Sequence, residues 1–307
     1  IKLQNNKYTG LVIAIHRSIP QDDGLIQAIK DAFTSASRAL CQATKNRAYF
    51  ANITILLPKT WNETNYPPAT DESFSRAAVR VDKPSPVYGN TPYVKRAEGC
   101  GKPGEYLHLT AGFLTDPNVN TTYGPIGRVL VHEWGHLRWG LFDEYASEDA
   151  NAFYIHENGE VQATRCSLAI RGAYRHKDTR EECRRDPTTA LYEAGCRFEV
   201  DRNSTDATGS IMYAPYLDTV STFSNICTSG DPLSYHNSQA PSPQNLQCGG
   251  RSAWDVMLEH PDFAGGANRP DLSPYAEPNF RVVRSTDRRV VLVLDVSGSM
   301  TVSICYI

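Results

Sequence analysis

The residues best suited to chemistry are His132-Glu133-Trp134-Gly135-His136, an H-E-x-x-H pattern. Two histidines four positions apart lie on the same side of a helix, one turn apart, where both imidazoles can reach a single Zn²⁺ at about 2.0–2.1 Å. Glu133 stands beside the first ligand but is rotated off its axis. Its carboxylate can take a proton from a water acidified by the metal and pass it to a leaving amine, which is the chemistry of peptide hydrolysis. A catalytic zinc needs a third protein ligand and one open position. Asp143, Glu144, Glu148 and His156 are the candidates downstream. Gly140 lets the chain leave the helix and turn back, which favours Asp143, seven residues after His136. Glu144 then points elsewhere, either as an acceptor for a ligand imidazole or as a surface acid.

Two further patterns carry possible chemistry. Ser210-Ile211-Met212-Tyr213 can form a methionine turn beneath the metal, or Met212 can be plain core. Asp295-Val296-Ser297-Gly298-Ser299 follows a hydrophobic run, as in the opening of a metal-ion-dependent adhesion site. Asp295, Ser297 and Ser299 offer hard oxygen ligands for Mg²⁺ or Ca²⁺, although the Thr and Asp that normally complete such a site are missing. His16, His108, His176, His236 and His260 lack ligand-like spacing and read as ordinary residues.

The elements that must hold these groups are partly visible. Apolar residues at Ile126, Leu130, Trp134, Leu137 and Leu141 predict a helix that starts after Gly124-Pro125 and closes near Gly140, with the H-E-x-x-H inside it. Leu11–Ile15 reads as a buried strand. Asp22-Asp23 then precede a helical pattern at Leu25, Ile26, Ile29, Phe33, Ala36 and Leu40, and Ala48–Leu57 reads as a second strand stopped by Pro58. Pro67 to Gly104 has no sustained period and reads as a long surface connection, and Tyr106–Leu114 as a third strand. The stretch from Cys166 to Cys248 is also low in periodicity, so its cysteines are expected to supply part of the packing.

Composition narrows the function. The 307 residues carry 31 Lys+Arg against 34 Asp+Glu, a net charge of −3, which gives no basic surplus for nucleic acid. The longest apolar runs fall far short of the roughly 20 residues that span a bilayer, so no transmembrane segment is expected in this chain. Eight cysteines without a C-x-x-C pair point to dispersed disulfides in an oxidising compartment. Four Asn-x-Ser/Thr sequons, at Asn52, Asn62, Asn120 and Asn203, point the same way, to a secreted, extracellular or cell-surface glycoprotein. The start at Ile1 fits a mature form or a fragment.

The block from His132 to Tyr145, with Ser210–Tyr213, Cys248, Ser252–Asp255 and Asp295–Met300, closely resembles the calcium-activated chloride channel regulator family. The resemblance implies an α+β, zincin-like metalloprotease domain over residues 1–265, including the Cys-rich part 166–248. A linker over 266–286 and the first strand of a truncated von Willebrand factor A domain over 287–307 would follow. It implies zinc on His132, His136 and Asp143 with Glu133 catalytic. It also implies a secreted precursor that cleaves itself, and a calcium-activated chloride channel as partner. A non-catalytic interaction protein acting on that channel, or an inactive truncated product, are the alternatives.

Overall fold

The computed structural model describes residues 1–62, 65–96, 99–147, 151–203, 205–225, 232–271 and 275–286. The chain opens with a hairpin, β1 (Lys2–Gln4) and β2 (Lys7–Thr9), whose two-residue turn is Asn5-Asn6. Both turn residues have positive φ, 50° and 66°, as a hairpin loop of this length requires and as asparagine tolerates. β3 (Leu11–Ile15) follows, then α1 (Asp23–Ala43), which starts where the Asp22 side chain accepts the Gly24 amide. The helical pattern buries Leu25, Ile26, Ile29, Phe33, Ala36 and Leu40 as expected. The strand expected over Ala48–Leu57 is two strands, β4 (Tyr49–Phe50) and β5 (Asn52–Leu57). They divide at Ala51 because the chain crosses between sheets there: β4 pairs with β2, and β5 with β3.

The stretch expected to be a surface connection holds β6 (Val79–Asp82) and the short β7 (Tyr93–Lys95). The signal for β6 is its alternation, with Val79 and Val81 buried between half-buried neighbours. β8 (Tyr106–Thr110) is shorter than expected because the Thr110 hydroxyl accepts the Phe113 amide and starts α2 (Ala111–Thr115). After α3 (Val119–Tyr123) comes α4 (Ile126–Trp139), which carries the H-E-x-x-H. α4 ends at Gly140, in the left-handed region at φ 61°.

Two small hairpins follow, β9 (Phe153–Ile155) with β10 (Val161–Ala163), and β11 (Gly172–His176) with β12 (Cys196–Val200). α5 (Pro243–Cys248) and α6 (Ala253–Glu259) come next. The segment expected to be a linker contains a strand, β13 (Asn279–Arg284), which pairs in parallel along all of β5 and extends the main sheet. That sheet has the order β13-β5-β3-β6-β8-β7, parallel throughout except for the antiparallel edge strand β7. The architecture is mixed α+β. α1 packs on α4, and the rings of Tyr8 and Phe50 meet Trp134 of α4 edge-on at 5.1 and 4.8 Å.

Disulfides join Cys100 to Cys248 and Cys183 to Cys196. Among the described residues Cys166, expected to help staple its region, is a buried free thiol that fills core space instead, and Cys41 is also free. Cys227, Cys305 and the adhesion-type residues Asp295, Ser297 and Ser299 lie outside the described residues. No described helix is long and apolar enough to cross a membrane.

Candidate metal centre

α4 buries His132, Glu133 and His136 and turns both imidazoles toward one point. His132 Nδ1 donates to the Ile211 carbonyl at 2.9 Å and His136 Nδ1 donates to the Leu141 carbonyl at 2.7 Å. With each Nδ1 facing a carbonyl, each Nε2 is turned to the centre of the cluster, the arrangement in which a neutral imidazole can bind a metal. The two Nε2 atoms are 3.1 Å apart, and Asp143 Oδ1 lies 3.3 and 3.2 Å from them. A tetrahedral ion with bonds near 2.0 Å spaces its ligand atoms about 3.3 Å apart, so the triangle has zinc-like dimensions. Asp143 Oδ1 is buried and receives no hydrogen bond. Three groups able to ligate a metal converge here, with the Arg96 guanidinium beside them, and two imidazoles with one carboxylate are a donor set that zinc accepts. Burial opposes protonation of His132, but the hydrogen bond and charge of Asp143, with the charge of Glu133, push its pKa up to about 9. Burial would raise Asp143, yet the two imidazoles hold it well below the usual carboxylate range.

Local folding explains why these groups meet. Gly140 must be glycine: its φ is positive, and a Cβ there would sit 2.3 Å from the Lys102 amide nitrogen. The chain reverses and the next four residues are fixed on both sides. The Phe142 amide donates to Gln244 Oε1, the Gln244 amide to the Asp143 carbonyl, and the Glu144 amide to the Met212 carbonyl. Met212 is fully buried beneath α4, so close that a Cβ on Gly135 would lie 2.7 Å from its sulfur. Glycine at 135 thus lets the Ser210–Tyr213 turn press against the ligand helix and present the Ile211 carbonyl to His132.

The centre lies in a cleft of about 880 Å³. The edge strand β7 and the side chains of Arg96, Tyr145 and Tyr216 line it along with Glu133. The Arg96 guanidinium stacks on Phe142 at 4.7 Å and its Nη2 lies 3.4 Å from Asp143 Oδ2. Burial, with the negative charges of Asp143 and Glu133, raises the Tyr145 phenol above its ordinary pKa. Neither residue carries a recognisable spacing. Tyr145 does follow Asp143 by two positions, and Arg96 follows a three-residue strand too short to stand out.

Of the other candidates, Glu144 is fully buried and takes no bond from a ligand imidazole. Its partners are Ser224 and His236, so the expectation of a ligand-imidazole contact and that of a surface acid are both corrected. His236, read as ordinary, is therefore a partner in the floor of the site. His156 sits at a hairpin turn away from the cluster, and Glu148 lies outside the described residues. The four sequon asparagines are all exposed.

A family model, the calcium-activated chloride channel N-terminal domain, matches residues 1–268. The chain belongs to the calcium-activated chloride channel regulators. It is 42% identical to regulator 1 of Bos taurus, across 98% of this chain and 33% of that protein. It is 40% identical to regulator 2 of Homo sapiens and 41% to regulator 3A-1 of Mus musculus, covering 98% of this chain and 31% and 33% of those proteins. The chain spans about a third of the length of these relatives. No solved structure matches it.

Proposed function

We propose that this chain is the zincin-like, zinc endopeptidase part of a secreted channel regulator, with His132, His136 and Asp143 as ligands and Glu133 as the proton carrier. The observation that carries the reading is the triangle of lone-pair atoms with edges of 3.1 to 3.3 Å, beside a buried glutamate in an open cleft. Zinc, when bound there, supplies a Lewis acid that polarises a carbonyl and brings the pKa of water toward ~7. Glu133 accepts the proton from the attacking water on a carboxylate oxygen and delivers it to the departing amine nitrogen. Tyr145, kept protonated by its raised pKa, donates its phenolic hydrogen toward the carbonyl oxygen, and the Arg96 cation opposes the charge that grows there. The free edge of β7 offers an extended peptide a strand to pair with, which would hold the scissile bond over the site. The substrate is then a protein, the chain's own precursor among the candidates. Disulfides and exposed sequon asparagines support an extracellular location.

Elemental mass spectrometry of the purified chain beside Asp143→Ala tests the centre. About one zinc per parent chain and loss in the variant are expected. A folded parent without zinc would refute the reading. Glu133→Gln should keep its zinc and lose peptide cleavage, and a variant that cleaves as fast as its parent would remove Glu133 from the mechanism.

The relatives' names favour a second reading, regulation of a chloride channel through a surface of the protein. Applying the zinc-loaded Glu133→Gln chain to cells with calcium-activated chloride conductance separates the two: an unchanged current response means that binding alone suffices, and its loss ties regulation to cleavage.

A further inference from the structure

The floor beneath Asp143 is built around a buried Glu144–His236 hydrogen bond that the chemistry above does not use. Glu144 is 0% exposed, and its Oε1 accepts from Ser224 Oγ at 2.6 Å and His236 Nδ1 at 2.9 Å. The other ring nitrogen, His236 Nε2, faces Asn245 Oδ1 at 2.7 Å. That amide cannot be flipped, because Asn245 Nδ2 already donates to the carbonyls of Asn237 and Ala240 at 2.8 Å each. Both nitrogens of His236 are therefore engaged, one by Glu144 and one by Asn245, and the ring is fixed in place between them. Ser224 links the pair to α6, since its Oγ also accepts the Ala253 amide at 3.2 Å.

We infer that Glu144 and His236 are positioning residues, which hold the Asp143 carboxylate in the ligand triangle by anchoring the adjacent backbone to Ser224 and, through His236, to Asn245. Asp143 and Glu144 are consecutive, and their side chains pull to opposite sides of the chain, one to the histidines of α4 and one to the floor. The Leu141–Glu144 backbone leaves the positive-φ Gly140 and ends at the Glu144 anchor. A side chain at 144 that cannot reach Ser224 and His236 removes that anchor, and the loop is then held by the Gln244 amide, which donates to the Asp143 carbonyl, and by the Glu144 amide, which donates to the Met212 carbonyl.

The inference rests on the metal-centre reading, and one experiment separates their failures. Zinc dissociation constants are measured by competition with a chromophoric chelator for the full chain and for Glu144→Gln, His236→Gln and Val79→Ala, with circular dichroism and thermal melts of each. Val79, fully buried in the sheet away from the floor, reports what simple destabilisation does to zinc affinity. Loss of a group that orients a metal ligand lowers affinity about 10- to 100-fold, and this is expected for Glu144→Gln and His236→Gln but not for Val79→Ala. Cobalt substitution gives a second readout: the visible bands of the tetrahedral ion should shift or weaken in the two floor variants alone. If one floor variant does not fold, the other carries the test. Parent-like affinity and spectrum in a folded floor variant overturn the inference while leaving the centre standing. An equal loss in Val79→Ala also overturns it, and a parent without zinc overturns the centre itself.

Discussion

The two disulfides among the described residues make unequal demands on the fold, and this can be worked out before any measurement. Cys100–Cys248 closes a loop with a sequence separation of 148, and Cys183–Cys196 one of 13. In the chain-entropy model the first restricts the unfolded chain by about 5 kcal/mol at 25 °C and the second by about 3 kcal/mol. Their surroundings sharpen the contrast. Cys100 adjoins Gly101, whose amide donates to the Gly140 carbonyl at 3.2 Å, at the very end of the ligand helix, while Cys248 closes α5, which carries Gln244. Cys183–Cys196 pins a neighbouring turn to the β11–β12 hairpin, outside the cleft lining. Replacing both cysteines of a pair by serine should therefore cost about 5 kcal/mol at the first site and about 3 at the second. For a chain of this size that corresponds to a lowering of roughly 10–20 °C against 6–12 °C in the melting temperature. Zinc affinity should fall only with the first pair. Denaturant unfolding and a zinc titration on the two double variants provide the check. A larger stability loss from Cys183–Cys196, or zinc affinity untouched by loss of Cys100–Cys248, would refute the link between loop closure and the centre.

Gly140→Ala should destabilise the chain by more than 1 kcal/mol and weaken zinc binding, because the residue sits at positive φ and its Cβ would overlap the Lys102 backbone. A melt within 1 °C of the parent would contradict this. Acid provides another test. Although burial disfavours its charge, Asp262 is held well below the usual carboxylate range by Arg138, His260 and Tyr8. A depressed folded pKa contributes stability above the unfolded value near 3.9 and loses it as pH falls through the folded one, so Asp262→Asn should flatten the acid limb of the stability curve below about pH 4. Parallel acid limbs for parent and variant would show that this ion pair does not titrate with unfolding.

What could be read from the sequence was whatever depends on neighbours in the chain. The helix of His132 and His136 follows from its apolar spacing and a terminal glycine, and Asp143 follows from the reversal that Gly140 allows. The same locality explains the misses. β7 has three residues and β13 lies beyond a Gly- and Pro-rich stretch, so neither shows a period. Each is a strand because a distant neighbour, β8 or β5, completes its hydrogen bonds. Cys166 resembled a disulfide partner by composition, and only the packing around it shows that it fills core space.

Glu144 and His236 make the same point about function. They lie 92 positions apart, and nothing in the spacing of either suggests the other. Their pairing follows from what the site must avoid, a ligand loop without an anchor. Ligands on one helix can be recognised from a motif because the helix supplies their geometry. The ligand on the loop needs help from far away in the chain, through Gln244, Met212 and His236, each in a different segment. Substitutions at Gln244 and His236 should therefore reach the candidate centre through Asp143, leaving the bonds from His132 and His136 to the Ile211 and Leu141 carbonyls in place, whereas one at Met212, packed beneath α4, should also disturb the Ile211 carbonyl.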